Sequence, residues 1–201
     1  MAVGLTGLTS NSFPNLQLDA GVFIEGLDLS TITNLSDALA AIDTAIQTDA
    51  CLGATSGGMT FSSSPEFRDI DLDGMRQDFK GSKIKDKTSV TIETTLTELT
   101  PENMRRIICA SDVTVDGDIT IIRERLNIDL SQDYIDSLTW IGDINDGRIA
   151  VITLYNCLNT NGTGWVAADK ANANFAVTFT ATNADLADRN YAPYDVRIFN
   201  A

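Results

Sequence analysis

The chain has 201 residues, 43% of them hydrophobic, with 28 acidic against 14 basic side chains and no histidine. That length and apolar content suit a single domain spanning 1–201 with an adequate core, while a net charge of −14 excludes a protein that grips nucleic acid over its whole surface through the phosphates. The missing histidine removes the usual general base, the usual zinc ligand and the usual partner of a Ser or Cys nucleophile. Cys51, Cys109 and Cys157 are odd in number and far apart, so they suggest neither a metal pair nor a disulfide framework but unreactive thiols in a reducing cytoplasm. No basic-then-apolar leader opens the chain, and no apolar run is long enough to span a bilayer, so neither a signal peptide nor a membrane anchor is expected.

In chain order, "AGVFIEG" (20–26) reads as a strand. "TNLSDALAAIDTAIQTDA" (33–50) follows with capping residues at its start and Leu35, Leu39, Ile42 and Ile46 at helical spacing, which predicts a helix with those four on its buried stripe. Then "EFRDIDLDGMRQDFKG" (66–81) places Asp69, Asp71 and Asp73 two apart, with Gly74 next. A calcium loop of the EF-hand type requires a bidentate Glu at position 12, and that position is Lys80. The alternation with Ile70 and Leu72 instead predicts a strand with one acidic face, running into an Asp73-Gly74 turn.

Residues 76–87, "RQDFKGSKIKDK", hold five cations and two carboxylates, a local excess of +3 in an acidic chain. Such an arm invites docking on the acidic body of another copy, although lysines also shield an edge strand from unwanted pairing. From 82 to 99 the chain alternates over a long run. One face carries Lys83, Lys85, Lys87, Ser89, Thr91, Glu93, Thr95 and Thr97 and no apolar residue; the other carries Val90, Ile92 and Leu96. Sixteen extended residues reach roughly 50 Å, so part of this strand has to leave the body of the domain.

"TPENMRRIICA" (100–110) predicts a second helix, with Thr100 as N-cap and Pro101 in the first turn. Beyond it, "TVDGDITII" reads as a hairpin, and Asp146-Gly147 and Asn161-Gly162 are further dipeptides of the kind that type I′ turns prefer. "GRIAVITLYN" (147–156), "NFAVTFTAT" (174–182) and "DVRIFN" (195–200) read as strands. Phe175, Val177 and Phe179 share one face of the second of these. The expected class is mainly β with two helices, at about 33–50 and 100–110.

Residues 52–108, "LGATSGGMTFSSSPEFRDIDLDGMRQDFKGSKIKDKTSVTIETTLTELTPENMRRII", resemble the tail tube proteins of long-tailed bacteriophages. The likeness lies in the order of features. A Gly-Gly strand leads to an acidic strand ending in Asp-Gly. A basic loop with "KG", a Ser/Thr-rich strand ending in "TEL" and a short Thr-Pro-Glu helix follow. "LQLDAGVFIEG" (16–26) is similar to the first strand of that family. The resemblance implies a β-sandwich that contributes strands to an inter-subunit β-barrel, hexameric rings stacked into a hollow tube, and DNA passing through the lumen. It implies inner strands at roughly 57–73 and 87–98, and an arm that reaches a neighbouring copy.

On that reading Asp69, Asp71, Ser89, Thr91, Glu93 and Thr95 face the lumen, where carboxylates and hydroxyls let a duplex slide instead of holding it. Arg76, Phe79, Lys80, Lys83 and Lys85 form the subunit-contact arm. No catalytic residue, metal or cofactor is expected. The implied partners are identical copies, tail terminator, tail-tip or baseplate and tape measure proteins, and transient double-stranded DNA. The implied location is the virion tail, assembled in the cytoplasm of a bacterial host. Other classes remain open: the tube of a contractile tailocin or secretion machine, a ligand-binding β-sandwich using Trp140, Tyr155 and Trp165 as a stacking platform, and a glycosidase built on paired carboxylates.

Overall fold

The computed structural model describes residues 12, 16, 21–48, 50–71, 73, 77–145, 147–167, 169–170, 172–184 and 190–199. Arg76, Leu72, Gly74 and Asp146, named above, lie outside the described residues. The fold is mostly β with two helices, as expected from the sequence. In chain order come β1 (Val22–Glu25), α1 (Leu35–Gln47), β2 (Thr55–Asp69), β3 (Lys83–Leu96), α2 (Pro101–Ile107), β4 (Ser111–Asp116), β5 (Ile119–Glu124), β6 (Ile135–Asp143), β7 (Ile149–Asn159), β8 (Trp165–Val166), β9 (Asn174–Ala181) and β10 (Tyr194–Phe199). Eight strands form one antiparallel sheet in the order β1-β6-β7-β9-β3-β2, with β10 beside β7 and β8 beside β9. The β4–β5 hairpin stands apart as its own two-stranded sheet.

The sheet divides along β7. Residues 149–154 of that strand pair with β10, whereas Cys157, Leu158 and Asn159 pair with β9. The main core lies between the two parts. Phe23, Leu138, Trp140 and Leu154 from one side meet Val90, Ile92, Leu96, Phe175, Val177 and Phe179 from the other. Phe61 of β2 packs on Tyr194 of β10, with ring centroids 5.2 Å apart. A second cluster, on the opposite face of β1, β6, β7 and β10, gathers Ile24, Ile141, Ile149, Val151 and Phe199 under α1. β6 therefore has a partner on both faces. Its middle is buried almost without interruption, which erases the alternation that identifies a half-exposed strand.

α1 begins where expected. Asn34 Oδ1 accepts from Asp37 N (3.0 Å), while Asp37 Oδ2 accepts from Thr33 N (3.0 Å) and Thr33 Oγ1 (2.7 Å), so free N–H groups of the first turn and the residue before it are satisfied. Its buried stripe corrects the prediction. Ala38 and Ala45 are the buried positions, with Leu35, Ala41 and Ile42 partly buried. Leu39 and Ile46 stay 50% and 60% exposed. Ala38 and Ala45, seven residues apart, set the stripe that faces the second cluster, and Leu39 and Ile46 lie to its flank. α2 also matches its signals: Thr100 Oγ1 accepts from Asn103 N (3.1 Å) and Pro101 opens the helix.

The hairpins refine the turn assignments. Asp116 pairs with Ile119, leaving Gly117 and Asp118 as the connection. Gly117 has φ +60° and Asp118 is not in the left-handed region, the sign pattern of a type II′ turn with Gly at the first central position, not the predicted type I′. Asn161-Gly162 does not close a hairpin but belongs to the loop leaving β7. Asn159 anchors that loop. Its buried amide donates to Ile107 O (2.6 Å) and Gly162 O (3.1 Å) and accepts from Asn161 N (3.2 Å) and Thr178 N (3.0 Å), so all its hydrogen-bonding capacity is used.

Two protonated groups tie stability to alkaline pH. Burial, reinforced by the hydrogen bond that Tyr155 Oη donates to Asp195 Oδ2 (2.8 Å), pushes the Tyr155 phenol from 10.0 up to about 12. Burial pushes the Cys157 thiol from 9.0 up to about 12. Both groups are neutral when protonated, and the unfolded chain releases these protons first as pH rises. Their contribution is therefore complete below pH 9 and is lost between pH 9 and about 12. Urea denaturation across that window should show declining stability, and Tyr155→Phe should make the decline shallower above pH 10.

Candidate assembly interface

β2 and β3 form a long two-stranded ribbon, paired from Thr55/Leu96 to Asp69/Lys83. Only its inner part belongs to the main sheet, because β9 covers β3 over Thr91–Leu96 alone. Lys83–Lys87 and Ser89 are exposed and Thr88 is half-buried, whereas Val90, Ile92, Thr94 and Leu96 are buried. The strand thus leaves the body of the protein, as its length required. The strands differ from the expected 57–73 and 87–98. β2 stops at Asp69, and β3 starts at Lys83, so residues 83–87 of the predicted arm are ladder and not loop. Beyond Asp69, Ile70 N donates to Ser82 O (2.7 Å) and closes the ribbon.

One face of the inner ribbon is wholly polar. The opposed pairs Thr60/Glu93, Ser62/Thr91 and Ser64/Ser89 lie along it, and Glu66/Lys87 ends it. Ser89, Thr91, Glu93 and Thr95 are therefore brought together. Thr60, Ser62 and Ser64 belong to the same face and were missed in the sequence, although alternate hydroxyls in "MTFSSSPEF" carry that signal. The reverse face holds Met59, Phe61, Val90 and Ile92 against the core. At Gly57 and Gly58, with φ +80° and +74°, β2 carries two residues that have no partner on β3. That bulge opens a shallow polar concavity of about 290 Å³ lined by Thr60, Glu93, Thr95 and Thr178.

The two aspartates stand apart from this face. Asp69 is out of phase with Ser62 and Ser64 along β2, and its Oδ1 accepts from Lys83 Nζ at 2.6 Å. Asp71 lies past the strand end, exposed, with no hydrogen-bond or ion-pair partner among the described residues. Among the described residues no group of three His, Cys, Asp or Glu side chains is placed to hold a metal ion.

The arm's charge is also different in space from its charge in sequence. Lys83 pairs with Asp69 and Asp78, Lys87 with Glu66 and Arg68 with Asp86. The hydrogen bond that Lys83 donates to Asp69, then the charge of Asp69, then Asp78 hold the Lys83 ammonium above its ordinary pKa. Over residues 66–87 six cations face six carboxylates. The local +3 of residues 76–87 is thus offset by Glu66 and Asp69 of β2, less Arg68, together with Asp71 and Asp73 beyond the end of that strand. Lys80 and Lys85 keep no carboxylate partner among the described residues. Exposed apolar side chains accompany them: Phe79 is 66% and Phe67 58% exposed.

β2 is the last strand of its sheet. Its outer edge, 15 residues long, presents backbone N–H and C=O groups to no other strand among the described residues, the usual template for pairing with another copy. Pro65 is the single position along it that lacks an N–H. The proposed stacking platform does not assemble in the same way: Trp140 is enclosed in the core, while Trp165 is exposed and tilts against Phe175 at 5.4 Å. Among the described residues no helix is long and apolar enough to cross a membrane.

No protein-family model matches the chain, and no curated protein matches it in sequence. Among solved structures it is similar to a chain of "Virion of native gene transfer agent (GTA) particle", at 15% identity over 84% of this chain and 96% of that chain, with a TM-score of 0.38. At that TM-score the likeness carries no argument about function.

Proposed function

We propose that this chain is a single-domain structural subunit that self-associates into the hollow tail tube of a bacteriophage. The free edge of β2 pairs with the sheet of a neighbouring copy, so that ribbons from successive subunits close into a β-barrel with the Ser/Thr/Glu face inward. Rings of six copies then stack. The observation that carries this reading is the β2–β3 ribbon, which combines a wholly polar face, a core-packed reverse face and a 15-residue edge that no described strand covers. A wide barrel needs that polar–apolar alternation, and closing the barrel removes the exposed edge. The tube is a conduit for double-stranded DNA, built in the host cytoplasm and carried in the virion. A terminator, a tail-tip or baseplate assembly and a tape measure protein are its further partners.

Electron microscopy of the concentrated protein tests this: hollow filaments or six-fold rings are expected, and a strictly monomeric protein overturns it. Glu93→Lys should leave such tubes intact but place a cation on every subunit's inner face. DNA should then co-sediment with the variant tubes at low salt and be released as salt rises, whereas wild-type tubes retain none. Equal, weak DNA retention by both would remove Glu93 from the lumen.

A further inference from the structure

The part of the sheet that holds the ribbon runs in the order β2-β3-β9-β8. Phe175 of β9 stands opposite Leu96 of β3 on one side and opposite Trp165 of β8 on the other. No described strand lies beyond β2 or beyond β8. Each neighbour in this row is antiparallel to the last. With four strands, the two end strands therefore run in opposite directions, and β8 of one copy can meet β2 of the next as one more antiparallel neighbour. Charge guards neither end. Residues 55–65 of β2 and residues 149–168, which include β8, contain no Asp, Glu, Lys or Arg, in a chain where 21% of residues are charged. Edge strands that have to stay unpaired usually carry such groups.

The two ends also carry bare apolar surface of different shape. Trp165 shares a face with the fully buried Phe175, so it points to the core side, and its ring lies 5.4 Å from that of Phe175. It is nevertheless 53% exposed, because the row of strands stops there. At the β2 end, Phe61 and Ser63 lie against Tyr194 of β10. Val196 and Ile198 follow Tyr194 on the same face of β10, opposite Ile152 and Ala150 of β7, which pack at the margin of the main core. Yet Val196 and Ile198 are 52% and 56% exposed. Their charged neighbours alternate to the other face, where Asp195 accepts from Tyr155 Oη and Arg197 donates to Leu29 O. What remains on the core side is an uncovered aliphatic shelf that starts beside β2.

We infer that Trp165 of one copy seats on the Val196–Ile198 shelf of the next, beside its β2, and carries the sandwich core across the subunit boundary. The inference rests on the tube reading and deepens it by naming the strand that meets β2 and the side chain that anchors it. Because the two patches differ, the contact is head to tail and repeats around a ring. A large aromatic in an apolar seat is where binding energy concentrates.

The chain has two tryptophans, and Trp140 is already enclosed, so acrylamide quenching of the full-length wild-type protein reads Trp165. The dilute monomer should show a quenchable component that disappears in assembled tubes. Trp165→Phe, which leaves Trp140 as the emitter, should quench equally weakly in both states. Trp165→Ala should raise the concentration needed for assembly by roughly tenfold or more, and Val196→Ala/Ile198→Ala by a similar factor. Combining all three should cost little more than either set alone, because both sets remove the same contact. Tubes in which Trp165 quenches as it does in the monomer overturn the seating while leaving the tube reading standing. Fully additive losses overturn it too, since the two patches then meet different partners. A wild-type protein that never assembles removes both proposals.

Discussion

Trp140→Ala should lower the unfolding free energy by roughly 3–5 kcal/mol, the range for removing a large aromatic from a packed core. The indole is 1% exposed and lies opposite Phe23 in the β1–β6 ladder, at the centre of the main cluster. Its walls include two glycines. A Cβ on Gly142 would overlap the six-membered ring, and one on Gly21, whose φ is +74°, would come within 2.5 Å of Ile141 O and the indole nitrogen. The surrounding strands therefore cannot collapse into the space without breaking ladder bonds. Against a total stability of about 5–15 kcal/mol for a typical domain, this loss leaves a protein near its threshold. Gly142→Ala should also destabilise, by roughly 1–3 kcal/mol, through overpacking. Urea titrations read both effects, and an unchanged midpoint for either would contradict the packing described.

Glu25→Ala should cost roughly 3–5 kcal/mol, because it strands a buried guanidinium. The Arg106 side chain is 6% exposed. Its Nε donates to Glu25 Oε2 at 2.6 Å and its Nη1 to Asn103 Oδ1 at 3.1 Å. Glu102 stands farther off at 3.8 Å. Asn103 in turn donates to Leu52 O (3.0 Å) and Glu98 O (3.3 Å), so the cluster joins β1, α2 and the segments flanking the β2–β3 ribbon. The apolar double variant Glu25→Leu/Arg106→Met should be much milder than Glu25→Ala alone, since it removes the charge together with its partner. Additive losses in that cycle would show that the two side chains act independently.

Much of this architecture was legible because its signals are local. Period-two patterns in 88–97 and 174–182 identified β3 and β9 and the correct buried side of each. Thr100-Pro101-Glu102 marked the start of α2. The assignments that differed depend on partners distant in sequence. β6 showed no alternation because helix and strands cover both its faces. α1 turned Ala38 and Ala45 to the second cluster in place of Leu39 and Ile46, because a helical period fixes the spacing of a stripe and not which stripe the sheet covers. Asp69, grouped with the polar face by its carboxylate, pairs instead with Lys83 once the register is set.

Alternation belongs to the extended backbone itself, so the sequence alone determined that residues 88–97 have one polar and one apolar side. Register, bulges and strand order arise from closing segments separated by long stretches of chain, and those were decided only in three dimensions. That is why Lys83 and Lys87 of the arm meet Asp69 and Glu66 across the ladder, while Lys80 keeps no carboxylate partner among the described residues. It is also why Val196 and Ile198 stay exposed on the core side of β10.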